Sequence, residues 1–293
     1  MSPSYKIENL FQVKGLVVVI TGGGSGLGAI AAHALADNGA KAVYILGRRM
    51  EALETTKAAS PNSDVIHPLR CDVTSKDDLQ AAADHVREQS GYCNVLLANS
   101  GVTKAGLGPI DPTWDLSTLQ ERMWKPEFDH FAETFRVNNA GAYYTAVAFM
   151  GLLDEGNRRG DFLQKSQVIL TSSIAGFSRI PVAGFSYASS KAGVTHMAKQ
   201  LATTLAPYKI RVNAITPGFF PSEMTEHLPF MKGDKDPREE GALATALVPL
   251  QRIGTEEDYA GVILFLTSVA GGYIDGSIVL TDGGRISTQP NSY

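Results

Sequence analysis

Short apolar runs alternate with longer stretches of helical periodicity along most of the chain. The first run, at residues 17–20, reads Val-Val-Val-Ile, which is typical of a strand buried on both faces. Because right-handed crossovers place helices on both faces of a parallel sheet, the alternation predicts an α/β, doubly wound parallel sheet of about seven strands in three layers. The predicted strands are residues 17–20, 42–46, 65–69, 95–98, 168–170, 210–215 and 277–280. The predicted helices are residues 29–38, 50–59, 76–89, 127–153, 187–206 and 256–268.

Two proline-broken stretches, residues 103–125 and 219–247, lack a clear period. Long irregular segments in a compact domain are usually functional or mobile, and both stretches follow strand ends at the edge where open α/β sheets bind ligands. We therefore expect them to close over a substrate. No linker or repeat divides the chain, so residues 1–293 are predicted to form one domain. The second stretch contains apolar side chains that suggest a pocket wall, with plain packing as an equal alternative: Phe219, Phe220, Phe230 and Met231.

Composition excludes several classes of protein. The chain has 26 Lys and Arg against 30 Asp and Glu, a formal charge of −4, and no basic run, which argues against nucleic-acid binding. Its 44% hydrophobic content is typical of a folded globule. Cys71 and Cys93 are too few for a disulfide framework, and no apolar run is long enough to cross a membrane. We expect reduced thiols, no membrane association and a cytoplasmic location.

A glycine-rich turn joins the first predicted strand to the first predicted helix. Glycines allow a tight turn and a close approach to a pyrophosphate, and the helix N-terminus offers free N–H groups and partial positive charge. The alternative is a flexible turn that binds nothing. The candidate cofactor-binding residues here are Gly22, Gly24, Ser25, Gly26, Leu27 and Gly28.

Tyr187 and Lys191 are four residues apart in a predicted helix, so they can point into the same cleft. A nearby ammonium and an oxidised nicotinamide would lower the pKa of a tyrosine from its usual value near 10. Tyr187 is then a candidate general acid and base. The alternative is an exposed tyrosine and lysine on a surface helix.

Further short motifs stand at predicted strand ends or within the long predicted helix. They are Asp72-Val73, Asn99-Ser100-Gly101, Val137-Asn138, Ser172-Ser173, Pro217-Gly218 and Asp282-Gly283-Gly284. With the TGxxxGxG turn and the YxxxK pair, their order resembles that of the short-chain dehydrogenase/reductase family over residues 14–284, with Ser100 in place of the usual alanine. The resemblance implies a Rossmann-type fold. It also implies cofactor contacts from Asp72, Val73, Asn99, Gly101, Tyr187, Lys191, Pro217 and Gly218.

The resemblance also assigns catalytic roles. Tyr187 would transfer a proton, Ser173 would hold the substrate oxygen and stabilise its developing charge, and Lys191 would hold the nicotinamide ribose. Gly176, three residues after Ser173, matches the family pattern. The stretch from Ser173 to Tyr187 is one residue longer than the commonest family spacing, so the loop must bulge and Ser172 stays an alternative.

Asn138 matches the helical asparagine that, in the family, holds a water linking the lysine to solvent. Its neighbour Asn139 is an alternative, and so is a purely structural role in a kinked helix. Ser222 falls where many relatives have a threonine that contacts the nicotinamide carboxamide. The stretch Phe219–Thr225 resembles that of microbial and fungal ketoreductases acting on ketoacyl, polyketide or other secondary-metabolite ketones.

The residues after the second predicted strand bear on the choice between NAD and NADP. NAD-preferring relatives place an acidic residue there for the ribose 2′-hydroxyl, whereas this chain has Gly47 followed by Arg48 and Arg49. A guanidinium suits a 2′-phosphate because its planar fork binds phosphate oxygens. The alternative is a pair of arginines that begin a solvated helix. The sequence favours NADP.

We therefore expect an NADP(H)-dependent oxidoreductase that interconverts a ketone and a secondary alcohol. An imine or enone reductase on the same scaffold, and a non-catalytic NADP-binding sensor or scaffold, are the alternatives. No histidine or cysteine cluster has metal-ligand spacing, so no metal is assigned. The resemblance implies a homodimer or homotetramer formed through the helices at 127–153 and 187–206, with Tyr143, Phe149 and Met150 as expected surface apolar residues.

Overall fold

The computed structural model describes residues 5–103, 108 and 110–293. Its sheet is all-parallel, with seven strands in the order β3-β2-β1-β4-β5-β6-β7, so the expected doubly wound α/β fold is confirmed. The strands are β1 (Val17–Thr21), β2 (Ala42–Gly47), β3 (Ile66–Arg70), β4 (Val95–Ala98), β5 (Gln167–Thr171), β6 (Arg211–Pro217) and β7 (Ile278–Thr281). The helices are α1 (Ile7–Leu10), α2 (Gly26–Asp37), α3 (Met50–Ala59), α4 (Lys76–Gln89), α5 (Leu116–Trp124), α6 (Phe128–Phe135), α7 (Ala142–Arg159), α8 (Phe185–Leu205) and α9 (Glu256–Thr267).

Strand β1 is buried along its whole length because helices cover both faces of the sheet. Val17 and Val19 pack in one core with residues of α4, α7 and α8. Val18 and Ile20 pack in a second core with residues of α2, α3 and α9. Successive side chains of a strand point to opposite faces, so the uninterrupted apolar run supplies both cores of a three-layer fold.

The strand order reverses at β1, which lies between β2 and β4. The chain therefore leaves β1 toward one edge of the sheet and later returns to the other side. The loops after β1 and β4 diverge at this point and leave a crevice at the carboxyl ends of the strands. Every strand-end motif found in the sequence lies at this edge.

The long helix expected at 127–153 has a local interruption. It begins as α6, passes through a π-helical turn at Arg136–Gly141, and continues as α7 to Arg159, where Gly160 ends it at φ +69°. A π turn widens the helix by one residue and is frequent at functional sites. The turn contains Asn138 and Asn139, so it places both amides against α8.

The segment expected to be irregular at 103–125 contains α5. The Asp115 side chain caps this helix by accepting a hydrogen bond from Thr118 N. The prolines on either side, Pro112 and Pro126, made this stretch look irregular in the sequence although a short helix lies between them. Positions 104–107 and 109 of this segment lie outside the described residues.

Phe149 is not a surface residue, contrary to the expectation from sequence. It is fully buried in the first core, because it shares the inner face of α7 with Ala146 and Leu153. Tyr143 is exposed as expected, and Met150 is half-buried against the core. In the described ranges 5–103, 108 and 110–293, no helix combines the length and apolar character needed to cross a bilayer.

Candidate active site

The glycine-rich turn and the start of α2 are packed too closely for larger residues. Gly22 has φ +69°, a conformation that L side chains rarely adopt. A Cβ on Gly28 would overlap the carbonyl oxygen of Gly22, so α2 can approach the turn only with glycine there. Ser25 at the N-cap makes no side-chain cap hydrogen bond, which leaves the first N–H groups of α2 available to an anion.

A cavity of about 540 Å³ opens beside this turn and runs along the carboxyl edge of the sheet. This volume lies within the range of small-molecule and cofactor sites. All the predicted site residues line it except Gly28 and Asn138, which lie behind its wall. Those that line it are Gly22, Gly24, Ser25, Gly26, Leu27, Arg48, Arg49, Asp72, Val73, Asn99, Gly101, Ser173, Tyr187, Lys191, Pro217, Gly218 and Ser222.

Tyr187 and Lys191 lie on the cavity-facing side of α8. Lys191 is 3% exposed, and its Nζ donates a 2.8 Å hydrogen bond to Thr171 O at the end of β5. Nζ lies 5.7 Å from the centre of the Tyr187 ring. A Cβ on Gly101 would come within 3.3 Å of this Nζ, so the turn after β4 can reach the lysine because it has a glycine there.

Burial sets the direction of both pKa values. It lowers the pKa of the Lys191 ammonium to about 8, because the charged form loses its hydration. It raises the pKa of Tyr187, and the hydrogen bond with Ser173 opposes that rise only in part. The sequence predicted a lowered Tyr187 pKa beside Lys191 and an oxidised nicotinamide. The groups of the protein alone give the opposite direction, so the Tyr187 phenol is protonated at neutral pH.

The two serines after β5 have different surroundings. Ser172 is 2% exposed, and its Oγ donates to Lys191 O at 2.7 Å and bonds Thr195 Oγ1 at 2.8 Å. Its hydroxyl therefore fixes β5 to α8. Ser173 Oγ accepts a 3.2 Å hydrogen bond from Ala175 N, and its interaction with Tyr187 lowers the pKa of that tyrosine, in part opposing the rise caused by burial. This geometry favours Ser173 over Ser172 as the hydroxyl available to a substrate.

Asn138 is 1% exposed and uses both ends of its amide within the protein. Its Oδ1 accepts from Val102 N at 2.8 Å, and its Nδ2 donates to Val102 O at 3.1 Å and to Ser190 Oγ at 2.9 Å. Asn139 Nδ2 donates to Ser190 O at 3.0 Å. Both asparagines therefore hydrogen-bond the π turn to α8, and Asn138 also hydrogen-bonds the loop after β4.

The other end of the cavity contains the two arginines. Arg49 Nη2 donates to both carboxylate oxygens of Glu223, at 2.8 and 2.9 Å. Asp72 also lines the cavity. Its carboxylate accepts hydrogen bonds from the N–H and the hydroxyl of Thr74, at 2.9 and 2.8 Å, and these bonds shape the turn after β3. A Cβ on Gly26 would lie 3.1 Å from Ser222 Cβ, so the segment after β6 rests directly on the glycine turn.

Sequence reasoning missed several residues of the cavity wall. Most of them adjoin a motif, so the signal that could have found them is position at a strand's carboxyl end. The apolar side chains expected as a wall divide into two groups. Phe220 does line the cavity, whereas Phe219, Phe230 and Met231 pack around a small cluster formed by Leu243, Val248 and Ile253. The additional lining residues include Ser100, Val102, Val137, Thr171, Glu223, Met224 and Thr225.

No group of acidic, histidine or cysteine side chains among the described residues could hold a metal ion. The donor set of the cavity is instead that of a dinucleotide site. It combines the glycine turn, the uncapped start of α2, two guanidiniums, and a serine, tyrosine and lysine at the far end. These residues fit a nicotinamide dinucleotide.

Comparison with known proteins agrees with this geometry. A family model described as enoyl-(acyl carrier protein) reductase matches residues 22–285. The chain is 45% identical to the short-chain dehydrogenase/reductase PhomF of Diaporthe leptostromiformis, covering 100% of this chain and 99% of that protein. It is 31% identical to versicolorin reductase stcU of Emericella nidulans, covering 94% and 97%.

Two solved structures show the same fold. The Pseudomonas aeruginosa RhlG/NADP active-site complex superposes with a TM-score of 0.77 at 25% identity, covering 94% of this chain and 98% of that one. A 3-ketoacyl-(acyl-carrier-protein) reductase from Brucella melitensis, complexed with NADH, gives 0.75 at 25% identity, covering 94% and 99%. From its fold, the arrangement of its cavity and these similarities, the chain belongs to the short-chain dehydrogenase/reductase family.

Proposed function

We propose that this oxidoreductase uses NADP(H) to interconvert a ketone and a secondary alcohol, on a ketoacyl, polyketide or other secondary-metabolite substrate. The observation that carries the proposal is the meeting of Ser173, Tyr187 and Lys191 at one end of the cavity that also contains the glycine turn. A nicotinamide bound there supplies or accepts a hydride. The protein must then hold the substrate oxygen and move one proton.

The three side chains fit these two tasks. Ser173 would donate a hydrogen bond to the carbonyl oxygen and stabilise the negative charge that develops there. Tyr187, kept protonated by its raised pKa, would give its phenolic proton to the same oxygen during reduction. Lys191, with a pKa of about 8, is mostly charged at neutral pH and stabilises the phenolate that remains. Asn138 positions α8 through Ser190.

The NADP preference rests on residues after β2. Gly47 offers no carboxylate to a 2′-hydroxyl, and the guanidiniums of Arg48 and Arg49 border the cavity. Replacing both arginines with alanine should weaken NADPH binding about ten- to hundredfold, since a charged hydrogen bond contributes about 1.5–3 kcal/mol, and should leave NADH binding almost unchanged. Fluorescence titration with each cofactor tests this. Equal losses for NADPH and NADH would contradict a role for the arginines at the 2′-phosphate.

The relatives and the segment after β6 support the proposed substrate class. One protein to which this chain is similar is named a versicolorin reductase. PhomF is similar over the full length of this chain. A purified-enzyme screen should measure NADPH oxidation with simple ketones, 3-ketoacyl thioesters, quinones and cyclic imines. We expect turnover with carbonyl compounds and at least a ~10²-fold loss in Tyr187→Phe, which removes the proton donor but keeps the ring. Retention of most activity in that variant would contradict the proposed role of Tyr187.

An enone reductase is a second candidate, favoured by the description of the matching family model as an enoyl-(acyl carrier protein) reductase. Such an enzyme would reduce a carbon–carbon double bond and leave the carbonyl intact. Including an enone and the corresponding saturated ketone in the screen separates the two reactions. A protein that binds NADPH and turns over none of the compounds would instead fit a sensor or scaffold.

We also propose that residues 1–293 act as one domain and that the segments at 103–125 and 219–247 close over the substrate. The segment at 219–247 supports this by supplying Phe220, Ser222 and Met224 to the cavity wall. None of the described residues at 103–125 lines the cavity. A homodimer or homotetramer through α7 and α8 would cover the exposed Tyr143. Light scattering during size-exclusion chromatography measures the oligomer. The buried, unpaired Cys71 and Cys93 suit a reducing compartment such as the cytoplasm.

A further inference from the structure

The segment after β7 contacts two loops that adjoin lining residues at the substrate end of the cavity. This segment, residues 282–293, is called the connecting segment below. One loop is the 174–184 loop, which separates Ser173 from the start of α8. The other is the segment at 219–247.

The contact with the 174–184 loop is a short piece of antiparallel pairing. Ser178 and Asn291 form a β-bridge, and on either side of it Arg179 N donates to Pro290 O and Ser292 N donates to Phe177 O, both at 2.9 Å. The Phe177 and Tyr293 rings meet edge to face with their centres 5.0 Å apart. This loop includes the additional residue in the spacing from Ser173 to Tyr187.

The contact with the segment at 219–247 is made by Arg285. Its guanidinium donates to Leu247 O at 2.8 Å and lies 4.4 Å from the centre of the Phe219 ring. Partial burial lowers the pKa of this guanidinium from its usual value. Arg285 therefore joins the first and last residues of that segment.

Internal hydrogen bonds make the connecting segment one unit between the two loops. The Asp282 carboxylate accepts from Gly284 N at 2.9 Å and from Ile286 N at 2.7 Å. Ile286 is 3% exposed, and its carbonyl accepts from Asn291 Nδ2 at 2.8 Å. A displacement at Asn291 can therefore reach Arg285 through residues that are themselves bonded together.

We infer that Asn291 and Arg285 are positioning residues that make the 174–184 loop and the segment at 219–247 open and close together. Tyr187 and Ser173 adjoin the first loop, and Phe220 belongs to the second segment. One element would then influence the positions of Ser173 and Tyr187 on one side of the ketone and of Phe220 on the other. The inference rests on the proposed function only for the statement that the ketone binds at this end of the cavity.

Hydrogen exchange on the full chain tests the coupling from both ends. In Asn291→Ala, exchange should become faster in the 174–184 loop and also in the segment at 219–247, which Asn291 does not touch. In Arg285→Met, the same two regions should exchange faster. Ser287→Ala, an exposed position in the connecting segment, is the control and should match the parent protein. Strands β1 and β4 should stay protected in all three variants.

The inference is overturned if each variant speeds exchange only in the loop it touches. The inference is also overturned if the fold-loss of NADPH affinity in either variant is as large as the fold-increase of hydrogen exchange in the two loops. That result would mean a general loss of structure. For the ketone identified by the screen, KM should rise about three- to tenfold in Asn291→Ala with kcat within about twofold, the scale of one or two lost hydrogen bonds. If no ketone is turned over, the proposed function fails, and the exchange experiment alone still decides the inference.

Discussion

Replacing Asn138 with alanine tests whether its side chain holds the loop after β4 and helix α8 in position. The amide holds the backbone of Val102, after β4, and the hydroxyl of Ser190, on α8. Ser190 Oγ in turn donates to Tyr187 O at 2.7 Å. The substitution removes three hydrogen bonds at once and loosens the backbone of the proposed proton donor.

The expected cost can be worked out bond by bond. A typical intramolecular hydrogen bond contributes about 1 kcal/mol net, so three lost bonds destabilise the protein by about 3 kcal/mol. For a chain of this size, that corresponds to a melting temperature lower by about 5 °C. Asn139→Ala is the matched control, because Asn139 lies next in the same π turn and its amide donates one described hydrogen bond, to Ser190 O. Its loss should cost about 1 kcal/mol.

Urea unfolding followed by circular dichroism measures both variants against the parent protein, and thermal melts give the melting temperatures. The reasoning is refuted if Asn138→Ala is no less stable than Asn139→Ala. A second readout is turnover with the ketone from the screen, which should fall more in Asn138→Ala than in the control. Equal turnover in the two variants would mean that the Asn138 side chain does not position α8 for catalysis.

Three further substitutions or conditions test other parts of the site. Gly28→Ala should weaken NADPH binding at least ~10-fold in a fluorescence titration, because overpacking against the glycine turn costs about 1–3 kcal/mol. The control Gly151→Ala should bind NADPH normally, because a Cβ at that position has no neighbouring element within 4 Å. NADPH affinity should fall as the pH rises through about 8, because Lys191 is charged below its lowered pKa and neutral above it; a flat profile from pH 7 to 9.5 would contradict this. Glu223→Gln should tighten NADPH binding about two- to fivefold, the scale of an exposed ion pair, by releasing Arg49 for the 2′-phosphate; an equal gain for NADH would contradict competition at that site.

Local patterns in the sequence were sufficient for the sheet and for the strand-end motifs. A run such as that of β1 is apolar at every position because both faces are covered, and this leaves little ambiguity. Parallel strands end at one edge, so motifs far apart in sequence, such as those around Asn99 and Ser173, had to meet there. The expectation that they border one cavity follows from topology alone.

Features that depend on side-chain packing could not be predicted in the same way. Phe149 lies between Ala148 and Met150 in a nearly continuous apolar stretch, so the sequence does not show which of these residues faces the sheet from α7. The Arg49–Glu223 pair joins residues that no local pattern relates. The direction of the Tyr187 pKa depends on how much water the folded cleft removes, which motif spacing does not reveal.

The interactions of the connecting segment were likewise hidden. Its pairing with the 174–184 loop is made by backbone groups, which are the same whatever the residue type. A sequence pattern registers hydrophobicity, charge and turn residues, and none of these signals where a backbone N–H finds its acceptor. Only the folded chain shows that Asn291 lies beside Ser178.

Deuterium transfer is the most direct test of whether Tyr187 and Ser173 assist hydride transfer to a carbonyl carbon. The purified enzyme is supplied with NADPH labelled with deuterium at the reactive nicotinamide carbon, together with the best ketone from the screen, and the product is analysed by NMR. We expect deuterium on the carbinol carbon of a secondary alcohol, and at least a ~10²-fold lower rate in Tyr187→Phe with NADPH binding retained. Deuterium on any other carbon, or a Tyr187→Phe variant that transfers deuterium at the parent rate, would contradict the account.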